Sequence, residues 1–313
     1  MKLAIMGAGA VGTSVAELAS TYDHTVTGIG DSSSAAVDPD GLDVGAVLER
    51  KRTNNTVGRS APEDLLDGEY DVLIEATPTT LGDAEPGYSH VTSALERDRH
   101  VVLANKGPVA ERYDDVRRVE QKSEGTMLFD ATVGGAIPVV STIEAFDSDS
   151  VTAVRGVLNG TANFILSRMA TDSLDYEHVL AEAQDLGVAE ADPTFDVDGT
   201  DAALKCVIIA NVLYGGGYTI EDALVEGIQN VPASALSLAA EDGRTIRLIG
   251  DVADERILVG PRLVPESGTL AVSGTQNIVQ IETQHAGRLN VSGRGAGGHE
   301  TATAVLRDVG LLE

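Results

Sequence analysis

The segment Lys2–Gly12, KLAIMGAGAVG, decides how the first part of this chain folds. A short apolar run leads into three glycines with the spacing GxGxxG, and a helical pattern and a second strand pattern follow. In such a unit the first glycine makes a tight turn, and the second lets the backbone approach a pyrophosphate. The third lets the helix pack on the strand, and the helix then points free N–H groups at the phosphates. We therefore expect a dinucleotide site at the turn residues Gly7, Gly9, Ala10, Val11 and Gly12.

The identity of the dinucleotide depends on Asp31, which ends the second strand pattern. A carboxylate at this place accepts hydrogen bonds from the ribose hydroxyls, which favours NAD over NADP. The alternative is that Ser32–Ser34 or the basic trio Arg50–Arg52 binds the additional phosphate of NADP. That trio is equally explained as a solvated helix end. The sequence therefore favours NAD over NADP, and it predicts a nicotinamide dinucleotide in either case.

Strand and helix patterns alternate through the first half of the chain. Strands are expected at 71–77, 100–105 and 126–130, and helices at 86–98 and 108–124. This alternation predicts a doubly wound parallel sheet of the Rossmann type, an α/β fold. Ligands bind such sheets at the carboxyl ends of the strands.

Polar residues stand at two of those strand ends. Thr77 closes one strand pattern, and Asn105 and Lys106 follow the next. Lys106 comes directly after an apolar strand, so we expect it in the crevice rather than over a helix surface. Lysine is scarce, with five in the whole chain, which makes a lysine at this place more informative.

The segment Gly187–Lys205, GVAEADPTFDVDGTDAALK, predicts a second polar site. Its carboxylates are followed by Lys205, on a stretch that is apolar nearly all round, and a helix without a polar face is buried. A buried ammonium is costly unless it is paired, and Asp201, four residues earlier, shares its helix face. We expect Lys205 to act as a proton donor that Asp201 orients. The acids lack the alternate spacing of a Ca²⁺-binding EF-hand loop.

The second half of the chain predicts a different domain. Strict alternation stops at Val139, and four later strand patterns predict a mixed or antiparallel sheet with helices on it, an α+β arrangement. The expected domains are 1–138 for the dinucleotide and 139–292 for the substrate, followed by a glycine-rich entry to a helix in 293–313.

The composition narrows the class of protein. Asp and Glu total 49, Lys and Arg total 22, and the net charge is −27, so nucleic acid and anionic lipid are not expected partners. Such acidity predicts a salt-rich cytoplasm. No apolar run long enough to span a membrane and no signal-peptide pattern is visible, and a single cysteine suits a reducing compartment.

These motifs together resemble homoserine dehydrogenases over nearly the whole chain. The matching segments are GAGAVG at 7–12, ANK at 104–106, DATVGGAIPVV at 130–140, GVLNGTANFIL at 156–166, AEAQDLGVAEADPTFDVDGTDAALK at 181–205 and GRGAGGHETATAV at 293–305. The resemblance implies reversible reduction of L-aspartate 4-semialdehyde to L-homoserine with NADH or NADPH, on the threonine and methionine pathway. It also implies that 293–313 returns to the first domain and that a homodimer forms through the second domain. It implies the short form, which lacks kinase and regulatory domains.

The resemblance assigns roles to individual residues. Lys106 and Lys205 would lie at the reacting oxygen, and Gly297 would lie near the cofactor. The residues that would hold or contact the substrate are Glu190, Asp196, Asp201, Gly160 and Thr161. Members of the family also bind a sodium ion near the hinge, mostly through backbone carbonyls, and the matching positions here are Asp130, Val133, Gly135 and Ile137.

Two other functions fit parts of the sequence. Another two-domain NAD(P)-dependent enzyme is one, such as an amino-acid dehydrogenase or aspartate-semialdehyde dehydrogenase. The latter needs a cysteine nucleophile with a nearby base, and Cys206 sits in an apolar stretch without an evident histidine. A non-catalytic dinucleotide sensor is the other, but it would need no Lys–Asp pair in a buried helix.

Overall fold

The computed structural model describes residues 1–312, which form two compact units. The first unit comprises Met1–Ala136 together with the C-terminal segment that starts at Ala296, and the second comprises Ile137–Gly295. The boundaries expected from the sequence, at 138/139 and 292/293, lie within a few residues of these.

The first unit begins with six strands and seven helices. Its strands are β1 Lys2–Met6, β2 Thr25–Gly30, β3 Ala35–Val37, β4 Val72–Glu75, β5 His100–Leu103 and β6 Met127–Leu128. Its helices are α1 Ala10–Leu18, α2 Val44–Asn54, α3 Pro62–Leu66, α4 Gly87–Leu95, α5 Gly107–Glu111, α6 Tyr113–Glu120 and α7 Ala131–Gly134.

These strands form one sheet in the order β3-β2-β1-β4-β5-β6. All neighbours are parallel except β2 and β3, so the expected parallel sheet gains an antiparallel edge strand. In the register, Met6 lies opposite both Gly30 and Glu75, and Glu75 lies opposite Leu103. The carboxyl ends of β1, β2, β4 and β5 therefore meet at one edge, and the strand order reverses at β1, where doubly wound folds bind ligands.

One helix expected from the sequence is two helices in the structure. The pattern over 108–124 predicted a single helix, but α5 ends and α6 begins around Arg112, whose backbone leaves the helical region at φ −130° and ψ 29°. The Arg112 guanidinium lies 4.1 Å from the centre of the Tyr88 ring, and its Nε donates to Asp115 at 2.7 Å. The contact with Tyr88, which lies on α4, is a tertiary one and accounts for the break.

The second unit contains six helices and six strands. The helices are α8 Val139–Ala145, α9 Gly160–Asp172, α10 Tyr176–Asp185, α11 Thr194–Val197, α12 Thr200–Tyr214 and α13 Ala233–Glu241. The strands are β7 Val151–Val157, β8 Ala223–Val225, β9 Arg244–Ala253, β10 Arg256–Pro265, β11 Gln276–Thr283 and β12 Gly287–Arg294. The sheet order is β12-β11-β7-β9-β10-β8, antiparallel throughout except for the parallel β10–β8 pair.

Helix α12 is the buried helix that the sequence predicted. Twelve of its fifteen residues are buried, and it packs on β9 and β10. It starts after Gly199, at φ +87°, and ends at Gly215, at φ +83°. Both glycines lie in the left-handed region, which side chains disfavour, so they fix where the helix begins and ends.

The last helix, α14 Gly298–Gly310, belongs to the first unit and packs on α1. A Cβ atom on Gly298 would lie 2.7 Å from the Ser14 hydroxyl and 2.9 Å from the Ala10 carbonyl oxygen. Only glycine allows this approach, so the start of α14 lies directly beside the first turn of α1. Within residues 1–312, no helix is both long and apolar enough to cross a bilayer.

Candidate active site in two halves

The glycine turn of the first unit has the space that a dinucleotide needs. A Cβ atom on Gly7, which has φ +113°, would lie 2.3 Å from the Ala76 carbonyl oxygen, and one on Gly12 would lie 1.7 Å from the Gly7 oxygen. A Cβ atom on Gly9 would meet nothing within 4 Å. The turn is therefore closed on the protein side and open at the N-terminus of α1. There the N–H groups of Ala10 and Val11 have no intrahelical partner, and these residues fit a pyrophosphate.

Asp31 follows β2 at the same edge of the sheet. Its Oδ1 accepts hydrogen bonds from the backbone N–H groups of Ser33 and Ser34, both at 2.8 Å, and its Oδ2 lies 2.9 Å from Lys51 Nζ. Burial acts to raise the pKa of Asp31, but the Lys51 and serine hydrogen bonds outweigh it and hold that pKa well below its usual value. A fixed anion therefore stands where a ribose hydroxyl would be bound.

Glu75 is the last residue of β4, and its carboxylate connects the loops that follow β4 and β5. It was not among the residues expected from the sequence. It is fully buried, and its Oε1 accepts from the Thr77 N–H at 3.0 Å and from Asn105 Nδ2 at 3.2 Å. Its Oε2 lies 2.7 Å from His90 Nδ1. A carboxylate as the last residue of an apolar strand was the signal that could have revealed it.

Lys106 occupies the start of α5. Asn105 Oδ1 accepts from the Gly107 N–H at 2.9 Å, and the Lys106 N–H donates to Thr79 at 3.3 Å. Lys106 is half-buried. The Glu75 network therefore fixes the backbone on both sides of the loop that carries this lysine.

Gly297 was expected near the cofactor and Asp130 near a cation, and both lie in the first unit. Gly297, at φ +127°, precedes α14 and so lies beside the turn at Ala10. The Asp130 carboxylate is buried and lies 2.7 Å from the Arg307 guanidinium. Its charge is compensated by this contact, so carbonyl oxygens would supply most of the coordination of any cation there. Val133 and Gly135 lie nearby in the chain, at α7.

In the second unit, Lys205 and Asp201 form an ion pair on α12. Lys205 is 6% exposed, and its Nζ donates to Asp201 Oδ2 at 2.7 Å and to the Leu158 carbonyl oxygen at 2.6 Å. An ammonium has three N–H donors, and the third has no partner in residues 1–312. One charged donor is thus left for another molecule.

Asn159 connects this pair to the acidic loop. Its Nδ2 donates to Asp201 Oδ2 at 2.9 Å and to Asp196 Oδ1 at 2.7 Å, while its Oδ1 caps α9 by accepting from the Ala162 N–H at 2.8 Å. Gly160 and Thr161, which follow it, were expected at the site, but this side chain was not. An Asn directly before a helix start is a typical N-cap, and that was the available signal.

The other expected substrate residues are less tightly connected. The Thr161 hydroxyl donates to the Val188 carbonyl oxygen at 3.2 Å. A Cβ atom on Gly160 would lie 2.9 Å from the Thr275 carbonyl oxygen, so packing alone also requires this glycine. Glu190 is exposed and is not drawn into the Asn159 cluster by any hydrogen bond of its carboxylate. Ile137, expected near the cation, is buried at the start of the second unit.

Cys206 does not resemble a nucleophile. Cys206 follows Lys205 in the sequence and is buried, and burial raises the pKa of its thiol to about 12. A thiol with that pKa is not ionised at neutral pH, which argues against thioester chemistry.

Neither the position of a cavity nor a cluster of acidic side chains identifies the candidate active site. A cavity of about 820 Å³ lies between α1 and α2, against the first residues of β2, at the opposite end of that strand from Asp31. Among residues 1–312, no group of three or more His, Cys, Asp or Glu side chains could hold a metal ion.

Two family models match different parts of the chain. A family model described as homoserine dehydrogenase matches residues 138–309. A second model, described as glutamate/leucine/phenylalanine/valine dehydrogenase, matches only residues 1–80, where the dinucleotide turn lies.

Relatives match along the whole chain. A homoserine dehydrogenase from Methanocaldococcus jannaschii is 39% identical, over 99% of this chain and 97% of its own length. A crystal structure of a putative homoserine dehydrogenase from Archaeoglobus fulgidus is 40% identical with a TM-score of 0.93, covering 100% of this chain and 99% of that one. A hyperthermophilic archaeal homoserine dehydrogenase in complex with NADPH is 26% identical with a TM-score of 0.85, over 98% of this chain and 96% of that one. This chain belongs to the homoserine dehydrogenase family.

Proposed function

We propose that this protein reduces L-aspartate 4-semialdehyde reversibly to L-homoserine, with a nicotinamide dinucleotide as hydride donor. The observation that carries the proposal is the third N–H of the buried Lys205 ammonium, which lacks a partner while the other two are held by Asp201 and Leu158. A buried ammonium of this kind adds little stability, and apolar residues of similar volume would often do better. Proton donation to a bound substrate is a sufficient reason for it.

The substrate groups have complementary partners in the second unit. The substrate carries an ammonium, which the carboxylates of Asp196 and Glu190 can attract. It also carries a carboxylate, to which the N–H groups at the start of α9, at Gly160 and Thr161, can donate hydrogen bonds. Asn159 holds Asp196 and Asp201 in fixed positions, so this binding region is ordered before the substrate arrives.

The chemical step needs a charge stabiliser and a proton at one oxygen. The bound nicotinamide supplies the hydride that reaches C4 of the substrate. As the aldehyde oxygen gains negative charge, Lys205 donates a proton to it, and Asp201 keeps the ammonium aimed. We propose that Lys106 lies at the same oxygen and stabilises the developing charge. The reverse assignment of the two lysines is the alternative arrangement.

The cofactor site fits NAD better than NADP. The anionic Asp31 would repel the additional phosphate of NADP, and Lys51, which could bind that phosphate, is already paired with Asp31. We therefore propose NAD as the preferred cofactor. The NADPH complex of the archaeal relative shows that NADPH binding is compatible with that related fold.

A homodimer is also part of the proposal. The face of the second sheet opposite α12 carries a ladder of half-exposed ion pairs, in which Arg155 contacts Asp251 at 3.0 Å and Glu282 at 3.1 Å. Arg288 continues it on the edge strand β12, 2.6 Å from Glu282. We propose this face as the surface that a second copy covers, and sedimentation of the protein in molar KCl tests it.

Ion dependence and cellular location complete the proposal. A sodium ion would be held mainly by carbonyl oxygens at Val133, Gly135 and Ile137, with Asp130 close by. Replacing NaCl by KCl at constant concentration tests this, because bound sodium would make the rate depend on the cation. The reducing cytoplasm is the proposed location, since the one cysteine is buried and unpaired.

The reaction is tested by following nicotinamide absorbance with L-homoserine and either NAD or NADP. We expect homoserine-dependent reduction of the cofactor, with the larger kcat/KM for NAD. Cofactor binding without homoserine-dependent turnover would identify a dinucleotide sensor instead. Activity with aspartate 4-semialdehyde that requires phosphate would identify an aspartate-semialdehyde dehydrogenase.

A further inference from the structure

Arg247, on β9 in the second unit, is a buried cation without an acidic partner. It is 6% exposed, and its Nε donates to the Val272 carbonyl oxygen at 2.8 Å. Its Nη1 donates to the Thr245 hydroxyl at 2.7 Å and to the Ile246 carbonyl oxygen at 2.8 Å. Every acceptor is neutral. Among residues 1–312, no carboxylate lies within 4.0 Å of the guanidinium, and Nη2 makes no hydrogen bond.

Such a cation is unusual inside a protein. A buried charge is normally paired, because neutral hydrogen bonds replace only part of its lost hydration. Burial lowers the pKa of Arg247, and the charge of Glu266 acts weakly in the opposite direction. Most other buried or half-buried arginines here, such as Arg155 and Arg307, have carboxylates within 3.1 Å.

A cavity of about 340 Å³ lies against Arg247. Its walls come from α9, α13, the first strand residues of β9 and the segment 266–273. Arg244 also lines it, as do Glu266 and Ser273, whose hydroxyl has no hydrogen bond within residues 1–312. The volume is at the lower end of the range for small-molecule sites. The cavity therefore offers two guanidinium groups, a free hydroxyl and one carboxylate.

We propose that this cavity binds a small monovalent anion, a carboxylate or a halide. Arg247 Nη2 supplies a donor that is not used within residues 1–312, and Arg244 adds a second positive charge at the more exposed wall. One free guanidinium nitrogen on Arg247 does not match the paired donors that phosphate and sulfate usually receive. Glu266 on the same wall repels a dianion more strongly than a monoanion. The site is separate from the Lys205 site and does not depend on the reaction proposed above.

The test separates anion binding from general salt screening. Thermal unfolding is followed at constant potassium concentration while fluoride, which is strongly hydrated, is replaced stepwise by acetate or by chloride. We expect the midpoint to rise and then saturate, as mass action requires for a ligand of the folded state. Acetate and chloride as separate arms distinguish an organic carboxylate from a halide. A larger, saturable rise with phosphate or sulfate would contradict a monovalent site.

Two variants and a control locate the effect. Arg247→Met should weaken the apparent anion affinity by about tenfold or more, since a charge-assisted hydrogen bond is lost. Glu266→Gln should tighten it, because the competing carboxylate is removed, and this variant keeps the Arg247 contacts. Arg256→Met, at an exposed arginine paired with Asp254, should change nothing.

A crystal grown with bromide gives the direct readout. We expect an anomalous peak beside Arg247, and the same crystal of Arg247→Met should lack it. The proposal would be overturned if the saturable anion effect were equally large in wild type and Arg247→Met. It would also be overturned if neither wild type nor Glu266→Gln showed a saturable effect.

Discussion

Lys205 is the single residue whose contacts bear most directly on the chemistry. Replacing it with Ala removes an ammonium whose third N–H has no partner within residues 1–312, so turnover should fall by at least about 10²–10³-fold. Cofactor affinity should stay nearly unchanged, because the cofactor residues belong to the first unit. The measurements are kcat with homoserine and the dissociation constant of NAD.

A matched control exists in Lys122, an exposed lysine on the first unit. Lys122→Ala should keep the wild-type rate. Lys205→Met, which preserves length without charge, separates lost packing from lost proton transfer. A Lys205→Ala enzyme with nearly full turnover would show that the proton comes from another group, with Lys106 the next candidate.

Residue-level prediction from the sequence succeeded where the interaction is local. Asp201 and Lys205 are four apart on one helix, so their pairing follows from helix geometry, and the structure contains it. Asn159 and Glu75 were not singled out, because the partners that connect them to distant parts of the site lie 37 to 42 and 15 to 30 residues away, respectively. Only the folded chain brings those groups together.

At the scale of elements, Glu75 connects the ends of β4 and β5. Glu75→Ala should remove the acceptor of the Thr77 N–H and one of the two acceptors of the Asn105 amide, which also donates to the Thr77 hydroxyl, and so loosen both loops. We expect cofactor affinity to fall by about tenfold, in line with one or two lost buried hydrogen bonds. Glu75→Gln keeps an acceptor oxygen and should restore most of that affinity.

Measuring the NAD dissociation constant beside the unfolding midpoint tells positioning from stability. Glu96→Ala, an exposed glutamate that follows α4, is the control. If Glu75→Ala lowered the midpoint but left cofactor affinity intact, Glu75 would only support the fold.

The C-terminal helix α14 carries a pH-dependent contribution to stability. Burial, assisted by the charge of Asp130, raises the pKa of Asp308 from 3.8 to about 6, against the hydrogen bond from Arg307. The folded state thus binds this proton more tightly than the unfolded state. The stabilisation is fully present below about pH 4 and is lost as the pH rises through about 6.

Asp308→Asn cannot ionise and removes this contribution. The free energy of unfolding of Asp308→Asn minus that of wild type should therefore increase by roughly 2 kcal/mol as the pH rises from about 4 to about 7. Denaturant titrations of both proteins at matched pH provide the difference, in which the other titrating groups cancel. A difference that does not change with pH would contradict the raised pKa.

Most elements could be predicted because their hydrophobic patterns are strong. Four of the six strands of the second sheet, β9 to β12, coincide with the four strand patterns expected there, and β7 and β8 are not among those four. Helix α12 coincides with the apolar stretch that carries Lys205. The edge strand β3 was missed because three residues carry too little pattern. The break between α5 and α6 was missed because the Tyr88 ring that stacks on Arg112 comes from another helix.

At the scale of the whole molecule, the net charge of −27 predicts a strong effect of salt. Two like charges 10 Å apart repel by roughly 0.4 kcal/mol in water, about 0.1 at physiological salt and almost nothing in 1 M salt. Summed over many pairs, the difference approaches the total stability of a domain. The unfolding midpoint should rise as KCl increases from about 0.1 to about 2 M.

The control is the same titration near the isoelectric point of about 4.4, where net repulsion is small and the rise should shrink. A midpoint that falls with added KCl at neutral pH would contradict the expectation of a salt-adapted protein. Charge totals need no structure, so this expectation follows from composition alone, whereas the partners of individual charges do not.

In the proposed mechanism Lys106 and Lys205 act on one substrate oxygen, although they come from different parts of the chain. A crystal structure with NAD and homoserine bound tests it most directly. We predict Nζ of Lys205 and Nζ of Lys106 both within about 3.2 Å of the homoserine hydroxyl oxygen. A complex in which either lysine faces bulk solvent, away from the nicotinamide ring, would contradict the account.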